Sequence, residues 1–496
     1  MSLRPRRTGL AVATATAALA STVLVAPAAL AAPNPDPNGF ANRVKTAEVA
    51  AHLDAFQQIA DANGGTRASG TPGYDASGDY VQELLQGAGY QVERQEFSFD
   101  ASSTTTQTLT VGEGVVDVIA LSYSPSGTVT APLSAPAAGD AALGCTPADY
   151  PVTPEPTIVV VSRGTCSFAA KQQAATAAGA AGVVIYNNIA EAPLNGTLGG
   201  RATGVPAGGV TLEAGQALLG QVGQTATLDI AVTVTTTTTF NVVAQTPYGD
   251  PDNVIMLGAH LDSVPEGPGI NDNGTGSAAI LQTALELAEV RPTTNAVRFA
   301  WWGAEESGLI GSTNYVNALT DAEKAQITGY LNFDMVGSPN YIIGVYDADQ
   351  STFEAPVDVP VGSESLEQVL TDYFDRKGQP WVDTEFSGRS DYQGFITAGI
   401  PASGLFTGAE GVKSEEEAAL FGGTAGTSYD PNYHEAGDTV ANVSQTALGI
   451  NSKVIAFATL TLANDPTPLV LDDKKNATPH AGMNAERMGH EHGEAA

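Results

Sequence analysis

The feature that most constrains the fold is a regular alternation of strands and helices in the second half of the chain. Apolar runs typical of buried strands alternate with segments whose apolar residues recur at helical spacing. We predict strands at 253–260, 296–302, 330–336 and 400–406, and helices at 275–290 and 313–319. This order predicts an α/β fold, in which a mixed, largely parallel sheet carries helices on both faces. Reactive side chains in such sheets collect in loops at the carboxyl ends of the strands.

The sequence outside this region predicts a signal peptide, an accessory domain and a C-terminal tail. A basic segment at residues 4–7, an apolar stretch and an Ala29-Leu30-Ala31 cleavage sequence predict a signal peptide and a secreted, extracellular protein. A strand–helix–strand pattern at 157–186 has no acid–base pair or metal-ligating cluster in its sequence, and it predicts a smaller, inserted accessory domain of α/β type. The predicted divisions are a signal peptide at 1–31, a main domain in two parts at 32–124 and 233–465, the accessory domain at 125–232, and a disordered or processed tail at 466–496.

Charge and cysteine content narrow the possible partners. The chain has 54 acidic and 21 basic residues, so nucleic acid and anionic membrane surfaces would be repelled, and neither is expected as a partner. No apolar run after the signal peptide is expected to be long enough to cross a bilayer, so we predict no membrane anchor. We also expect the protein to be a monomer. In an exported protein the two cysteines, Cys145 and Cys166, predict a disulfide, because two thiolates alone do not complete a zinc shell.

Histidine is scarce, which limits the candidate metal ligands. Three of the six histidines belong to the tail, and His52 lies on a predicted amphipathic helix, where a structural or surface role is expected. The two that remain lie in one series with carboxylates at predicted strand ends and loops. That series is His260, Asp272 in the glycine-rich loop 269–276, Glu305 and Glu306 after a strand, Asp334 at the end of the next strand, and His434 in an irregular stretch.

Two imidazoles and three carboxylates are the ligands that a pair of zinc ions requires. Each ion takes one histidine and one terminal carboxylate, and the third carboxylate bridges the pair. In the adjacent pair Glu305 and Glu306 the two side chains point in different directions, so one can ligate while the other stays free. The sequence therefore predicts a two-zinc hydrolytic site.

The segments that carry these residues resemble peptidase family M28, and in particular its secreted bacterial leucine-type aminopeptidases. The segment 159–188 resembles the protease-associated (PA) domain that is inserted in several peptidase families. The M28-like segments are 260–262, 269–276, 302–306, 332–334, 388–391, 404–408 and 433–434.

The resemblance implies a secreted aminopeptidase with two Zn²⁺ per chain. Its substrates would be peptides or proteins with a free amino terminus, and large hydrophobic residues such as leucine would be preferred. The implied roles are His260 and Asp334 on one zinc, Glu306 and His434 on the other, Asp272 bridging them, Glu305 as general base, Tyr433 stabilising the oxyanion, Arg389 in the substrate site, and Asp262 orienting His260.

Alternative functions remain open at this stage. A related zinc carboxypeptidase would share the fold, and so would a non-catalytic, peptidase-like binding protein. Glutaminyl cyclases also share it but use one zinc ion, whereas the set here suits two. A serine hydrolase is disfavoured because no G-x-S-x-G sequence is present. Calcium ligands found in some relatives after the Tyr-His pair are not expected here, where Gly449 and Lys453 stand.

Overall fold

The computed structural model describes residues 36–136, 144–164, 166–188, 193–290 and 292–465. The predicted signal peptide and the predicted tail lie outside these residues. The strands are β1 Gln91–Val111, β2 Gly114–Val116, β3 Ile119–Ala120, β4 Gly127–Ser134, β5 Ile158–Ser162, β6 Gly182–Tyr186, β7 Ala207–Val210, β8 Thr225–Gln245, β9 Asp250–His260, β10 Asn295–Trp302, β11 Ile327–Phe333, β12 Gly344–Tyr346, β13 Val382–Thr384 and β14 Ala402–Phe406.

The helices of the described residues follow the predicted alternation and add several elements to it. They are α1 Pro37–Ala41, α2 Thr46–Ala62, α3 Pro72–Gly87, α4 Phe168–Ala177, α5 Leu212–Leu219, α6 Gly276–Ala288, α7 Ile310–Ala318, α8 Asp321–Gln326, α9 Ser363–Lys377, α10 Tyr392–Thr397, α11 Glu415–Phe421 and α12 Gln445–Asn464.

The main sheet has the strand order β13-β12-β14-β11-β9-β10-β8. Strands β9, β10, β11 and β14 pair in parallel, while β8 joins β10 and β12 joins β14 in antiparallel pairs. The predicted mixed, largely parallel sheet is therefore confirmed. Because β9, β10 and β11 run side by side in one direction, their carboxyl ends reach the same edge of the sheet.

Both faces of this sheet are covered, which explains why its strands read as continuous apolar runs. In β10 Phe299 and Trp301 pack into the core on one face, and Ala300 and Trp302 pack into the core on the other. All four side chains are fully buried. Helices α2, α6 and α12 contribute to the first core, whereas α7 and α10 contribute to the second.

A long two-stranded ribbon connects the main sheet to the accessory module. Strands β1 and β8 pair antiparallel over nearly their whole length, with one irregularity between Thr104 and Thr106. At its far end β8 also pairs with β4, which starts a second sheet in the order β4-β5-β6-β7-β3. The predicted boundary at 232 falls inside β8, so the ribbon belongs to both modules. The predicted disulfide is confirmed, and it joins Cys145 to Cys166 within the accessory module.

Helix α12 differs from what the sequence analysis expected. Among the described residues it is the one helix long and apolar enough to cross a membrane, with a mean hydropathy of 1.3, so the expectation that no later run had this length was wrong. However, 72% of that apolar window is buried inside the protein. The helix packs against α1, α6 and α9, and it contributes Val454, Ile455 and Phe457 to the first core. Its apolar composition is therefore that of a core helix.

Candidate metal centre

The structure brings the five predicted metal ligands together at the carboxyl edge of the main sheet. His260 ends β9, Glu305 and Glu306 follow β10, and Asp334 follows β11. The register sets these positions, because Trp302 lies opposite His260 and Asn332 lies opposite Gly258. The three strands therefore end at nearly the same height. His434 comes from the irregular segment before α12.

Asp272 lies between the two histidines. Its Oδ1 is 3.2 Å from His260 Nε2, and its Oδ2 is 3.3 Å from His434 Nε2. Each histidine has a further carboxylate: Asp334 Oδ1 is 3.3 Å from His260 Nε2, and Glu306 Oε2 is 3.0 Å from His434 Nε2. The five side chains thus form two overlapping groups that share Asp272.

The loop that carries Asp272 depends on a glycine with a left-handed backbone. Gly269 has a φ of 60°, and a Cβ at this position would lie 2.3 Å from the carbonyl oxygen of Asp272. Another side chain here would therefore have to displace the backbone of Asp272. The backbone is also strained at three other residues near the centre. Ala304, Met335 and His434 have positive φ although they are not glycine.

The ligand set fits metal ions. Ligand atoms of His260, Asp272 and Glu306 lie within 4.8 Å of one another, and so do those of His260, Glu305 and Asp334. Two of the carboxylate oxygens, Glu306 Oε1 and Asp334 Oδ1, are buried and make no hydrogen bond with the described residues. A bound cation would compensate such buried carboxylates, and two nitrogen and three carboxylate ligands suit zinc.

Neighbouring groups orient the ligands. The Nδ1 of His260 donates to the backbone carbonyl of Asp262 over 3.1 Å, which leaves Nε2 directed at the carboxylates. The Asp262 side chain is farther away, at 3.6 Å, and it accepts a hydrogen bond from Glu305 N. Asp262 therefore contacts His260 chiefly through its backbone. On the opposite side, Ser390 Oγ donates to Asp334 Oδ2 over 2.5 Å.

Glu305 lies beside the ligands and has the properties of a proton acceptor and donor. Its Oε2 is 3.8 Å from His260 Nε2, and the residue is buried. Burial raises the pKa of Glu305 well above its ordinary value, and the charges of Asp334 and Asp391 raise it further, while His260 opposes them. A carboxyl group placed beside the ligands in this way can act as a general base and then as a general acid.

Tyr433 and Arg389 lie together at the solvent-exposed side of the centre. The Tyr433 ring stacks on the His434 ring with 3.8 Å between centroids. Arg389 Nη2 donates to the Tyr433 hydroxyl over 3.3 Å, and Arg389 Nη1 donates to Glu410 Oε1 over 2.6 Å. Sequence reasoning did not single out Glu410, although it follows the M28-like segment 404–408.

Two further residues that the sequence analysis missed support the loop of Asp272. Asp438 accepts hydrogen bonds from the backbone nitrogens of Asn271 and Asp272 over 2.8 Å and 2.9 Å. Arg67, in the turn between α2 and α3, is fully buried and donates to the carbonyl oxygens of Leu261, Pro268 and Gly269. A signal for Asp438 was its closeness in sequence to His434, whereas Arg67 had none.

The fold and the ligand set are those of a metal-dependent hydrolase, and comparison with known proteins identifies its family. The family model described as peptidase family M28 matches residues 241–459, and the model described as PA domain matches residues 129–218. The chain is 47% identical over 435 residues to a protein of Mycobacterium tuberculosis named probable lipoprotein aminopeptidase LpqL, covering 86% of each chain. It is 45% identical over 405 residues to probable leucine aminopeptidase 2 of Aspergillus fumigatus, covering 80% of this chain and 79% of that protein.

A solved structure has the same architecture. It is described as that of BSAP, a zinc aminopeptidase from Bacillus subtilis, and it superimposes with a TM-score of 0.63 at 26% identity. The match covers 85% of this chain and 96% of that one. The chain therefore belongs to peptidase family M28 and carries an inserted PA domain. Within that family it is an aminopeptidase, a hydrolase of the exopeptidase class.

Proposed function

We propose that this protein is a secreted aminopeptidase that uses two zinc ions to hydrolyse the amino-terminal peptide bond. The observation that carries the proposal is the position of Asp272, whose two carboxylate oxygens each face a different histidine. His260 and Asp334 would hold one ion, and His434 and Glu306 the other. Zinc is proposed because the ligand chemistry suits it and because the Bacillus subtilis relative is described as a zinc enzyme.

The residues around the ligands supply the remaining chemistry. Zinc ions bound here would lower the pKa of water and polarise the scissile carbonyl. Glu305 takes the proton of the attacking water and returns it to the leaving amine. The hydroxyl of Tyr433 donates a hydrogen bond to the negative charge that develops on the carbonyl oxygen. Arg389 binds the substrate beside Tyr433, and Asp262 holds the ring of His260 through its backbone carbonyl.

The names of the relatives support amino-terminal cleavage. The centre gathers the carboxylates of Asp272, Glu305, Glu306 and Asp334 in one cluster, and two zinc ions would balance their charge. The proposal of an aminopeptidase over a carboxypeptidase is therefore supported by the bacterial and fungal relatives, which are named aminopeptidases. We propose a preference for large hydrophobic residues such as leucine, supported by the name leucine aminopeptidase 2 of the fungal relative.

The location and the domain limits complete the proposal. Export is supported by the leader pattern of residues 1–31 and by the disulfide, because disulfides persist in oxidising compartments. We propose that the peptidase domain comprises 32–124 and 233–465, that the PA domain comprises 125–232, and that the protein acts as a monomer without a membrane anchor.

An assay of the purified mature protein tests the function. Leucine, lysine and glutamate anilides are offered before and after chelation and again with zinc restored, beside an amino-terminally blocked peptide. We expect cleavage of the free substrates alone, leucine fastest, with loss on chelation and recovery at about two zinc ions per chain. Cleavage of the blocked peptide would contradict the exopeptidase proposal, and recovery at one ion would contradict the paired site.

A comparison of two variants tests whether Glu305 is the general base. Glu305→Gln should bind zinc as the wild type does and lose activity by about 1,000-fold or more, because the proton acceptor is removed. Glu367→Gln is the matched control, since Glu367 is also buried but lies outside the centre. Equal activity of the two variants would show that Glu305 is not the general base. A wild-type protein that is fully loaded with zinc but inactive would favour the binding-protein alternative.

A further inference from the structure

Glu410 lies at the end of a chain of contacts that leads to the metal centre. Glu410 Oε1 accepts a hydrogen bond from Arg389 Nη1, Arg389 Nη2 donates to the Tyr433 hydroxyl, and the Tyr433 ring stacks on His434. The side chains of Glu410 and Arg389 are 50% and 49% exposed. The pair thus lies where solvent and substrate can reach it.

The direction of these hydrogen bonds matters for Tyr433. A guanidinium group can only donate, so the hydroxyl oxygen of Tyr433 is the acceptor in its contact with Arg389. The hydroxyl proton therefore remains available for a different acceptor. A tyrosine beside a fixed cation is a stronger hydrogen-bond donor than an isolated one.

Arg389 needs a partner to stay in this position, because a half-exposed arginine has many accessible rotamers. Glu410 is the carboxylate that pairs with it among the described residues. The backbone of Glu410 is itself held on both sides, since Asp430 N donates to Ala409 O and Tyr429 N donates to Gly411 O, each over 2.8 Å. These bonds attach the Glu410 loop to the segment that continues into Tyr433.

We propose that Glu410 is a positioning residue that holds Arg389 against the hydroxyl of Tyr433 and so directs the Tyr433 proton toward the scissile carbonyl. The inference rests on the proposed function. Without the carboxylate, Arg389 swings into solvent and Tyr433 loses the donor that orients its hydroxyl. Misplacing one group of this kind costs about 10- to 100-fold in turnover.

An exposed ion pair on helix α9 provides the contrast. Asp372 and Arg376 form an exposed pair with side chains 46% and 60% exposed, at 3.3 Å on helix α9. Pairs of this kind change stability by at most about 1 kcal/mol and leave turnover unchanged. Asp372→Asn is therefore the matched control for Glu410→Gln, because both changes neutralise one half-exposed carboxylate that pairs with an arginine.

The test compares steady-state kinetics of the zinc-loaded enzyme on a leucine anilide. We expect Glu410→Gln to lower kcat by about tenfold or more with KM changed less than about threefold and zinc content unchanged. Glu410→Asp should recover part of the loss, and Asp372→Asn should match the wild type. In an Arg389→Ala background, Glu410→Gln should have an effect of less than about twofold, because Glu410 acts through Arg389.

The outcomes separate this inference from the proposed function. An active wild type with an equally active Glu410→Gln variant overturns the positioning role alone. The same holds if the full loss persists in the Arg389→Ala background, since Glu410 would then act independently of Arg389. A wild type without activity at full zinc occupancy overturns the proposed function and this inference with it.

Discussion

The Nη2 atom of Arg67 donates a hydrogen bond to the carbonyl oxygen of Gly269 over 2.5 Å, three residues before Asp272. The same guanidinium binds the carbonyl oxygens of Pro268 and Leu261, so one buried side chain holds both ends of the loop between His260 and Asp272. Burial lowers the pKa of Arg67 to about 10, which still leaves it charged at neutral pH. A cation at this place also offsets part of the negative charge of the centre.

Replacement of Arg67 should weaken both the fold and the metal site. Arg67→Met removes a donor from three buried carbonyl oxygens, of which that of Gly269 retains its bond from Gly274 N, so we expect the free energy of unfolding to fall by about 3 kcal/mol or more. Arg67→Lys keeps the charge and should be milder. Urea denaturation and a competitive zinc titration measure the two effects. Arg43→Met is the control, because Arg43 is 45% exposed in its pair with Glu286. Wild-type zinc affinity in Arg67→Met would contradict the role of this residue in holding the loop.

Ser390 should affect the metal site without changing a ligand. Its hydroxyl donates to Asp334 Oδ2 and accepts from Asn332 Nδ2 over 2.7 Å. Ser390→Ala frees Asp334 to rotate, and we expect zinc affinity to fall by about 10- to 100-fold. The control is Ser403→Ala, since Ser403 is equally buried but donates to the carbonyl of Tyr346. If both variants retain zinc equally well, the hydrogen bond does not contribute to metal binding.

Glu367 should make stability depend on pH. Burial, assisted by the charge of Asp349, raises the pKa of Glu367 to about 8. The folded state therefore holds a proton that the unfolded chain releases at about pH 4.3, so this stabilisation is present at low pH and is lost as the pH rises toward 8. Glu367→Gln should reduce the fall in unfolding free energy between pH 5 and 8 by roughly 1 to 4 kcal/mol. The exposed Glu416→Gln serves as control, and identical pH profiles would rule the effect out.

The disulfide should stabilise the accessory module and leave catalysis alone. Cys145 and Cys166 are 21 residues apart in the chain, and a loop of that length corresponds to about 3 kcal/mol of stabilisation. The double change Cys145→Ser and Cys166→Ser should lower the free energy of unfolding of the PA domain by that amount, measured by denaturant titration. Turnover of a leucine anilide reports on the peptidase domain, and a matching loss of turnover would show that the two domains are more tightly coupled than we expect.

The fold class was predictable because the strands of the main sheet are buried on both faces. Burial on both sides makes β9 and β10 continuous apolar runs, which the sequence displays directly. The order of the strands was not predictable, because neighbours such as β11 and β14 are far apart in the chain and their register depends on tertiary packing. Helix α12 was missed since its buried residues cover most of its circumference, which obscures a helical period.

In the candidate site, too, some residues could be predicted from the sequence and others could not. His260, Asp272 and Asp334 could be singled out because ligand types are distinctive and because they stand at predicted strand ends. Arg67 could not, since its partners are backbone carbonyls, which are the same in every residue. Glu410 could not either, because its pairing with Arg389 depends on how two loops meet.

The pairing of β1 with β8 bears on the order in which the chain can assemble during synthesis. Strand β1 is synthesised before the PA domain, and β8, its long partner, is synthesised after it. The pairs that β1 makes with β8 can therefore form only after the whole insertion has been made. A folded insertion shortens the effective loop that this pairing has to close, which lowers its entropic cost. We therefore expect folding of the inserted domain to favour closure of the ribbon that joins it to the peptidase domain.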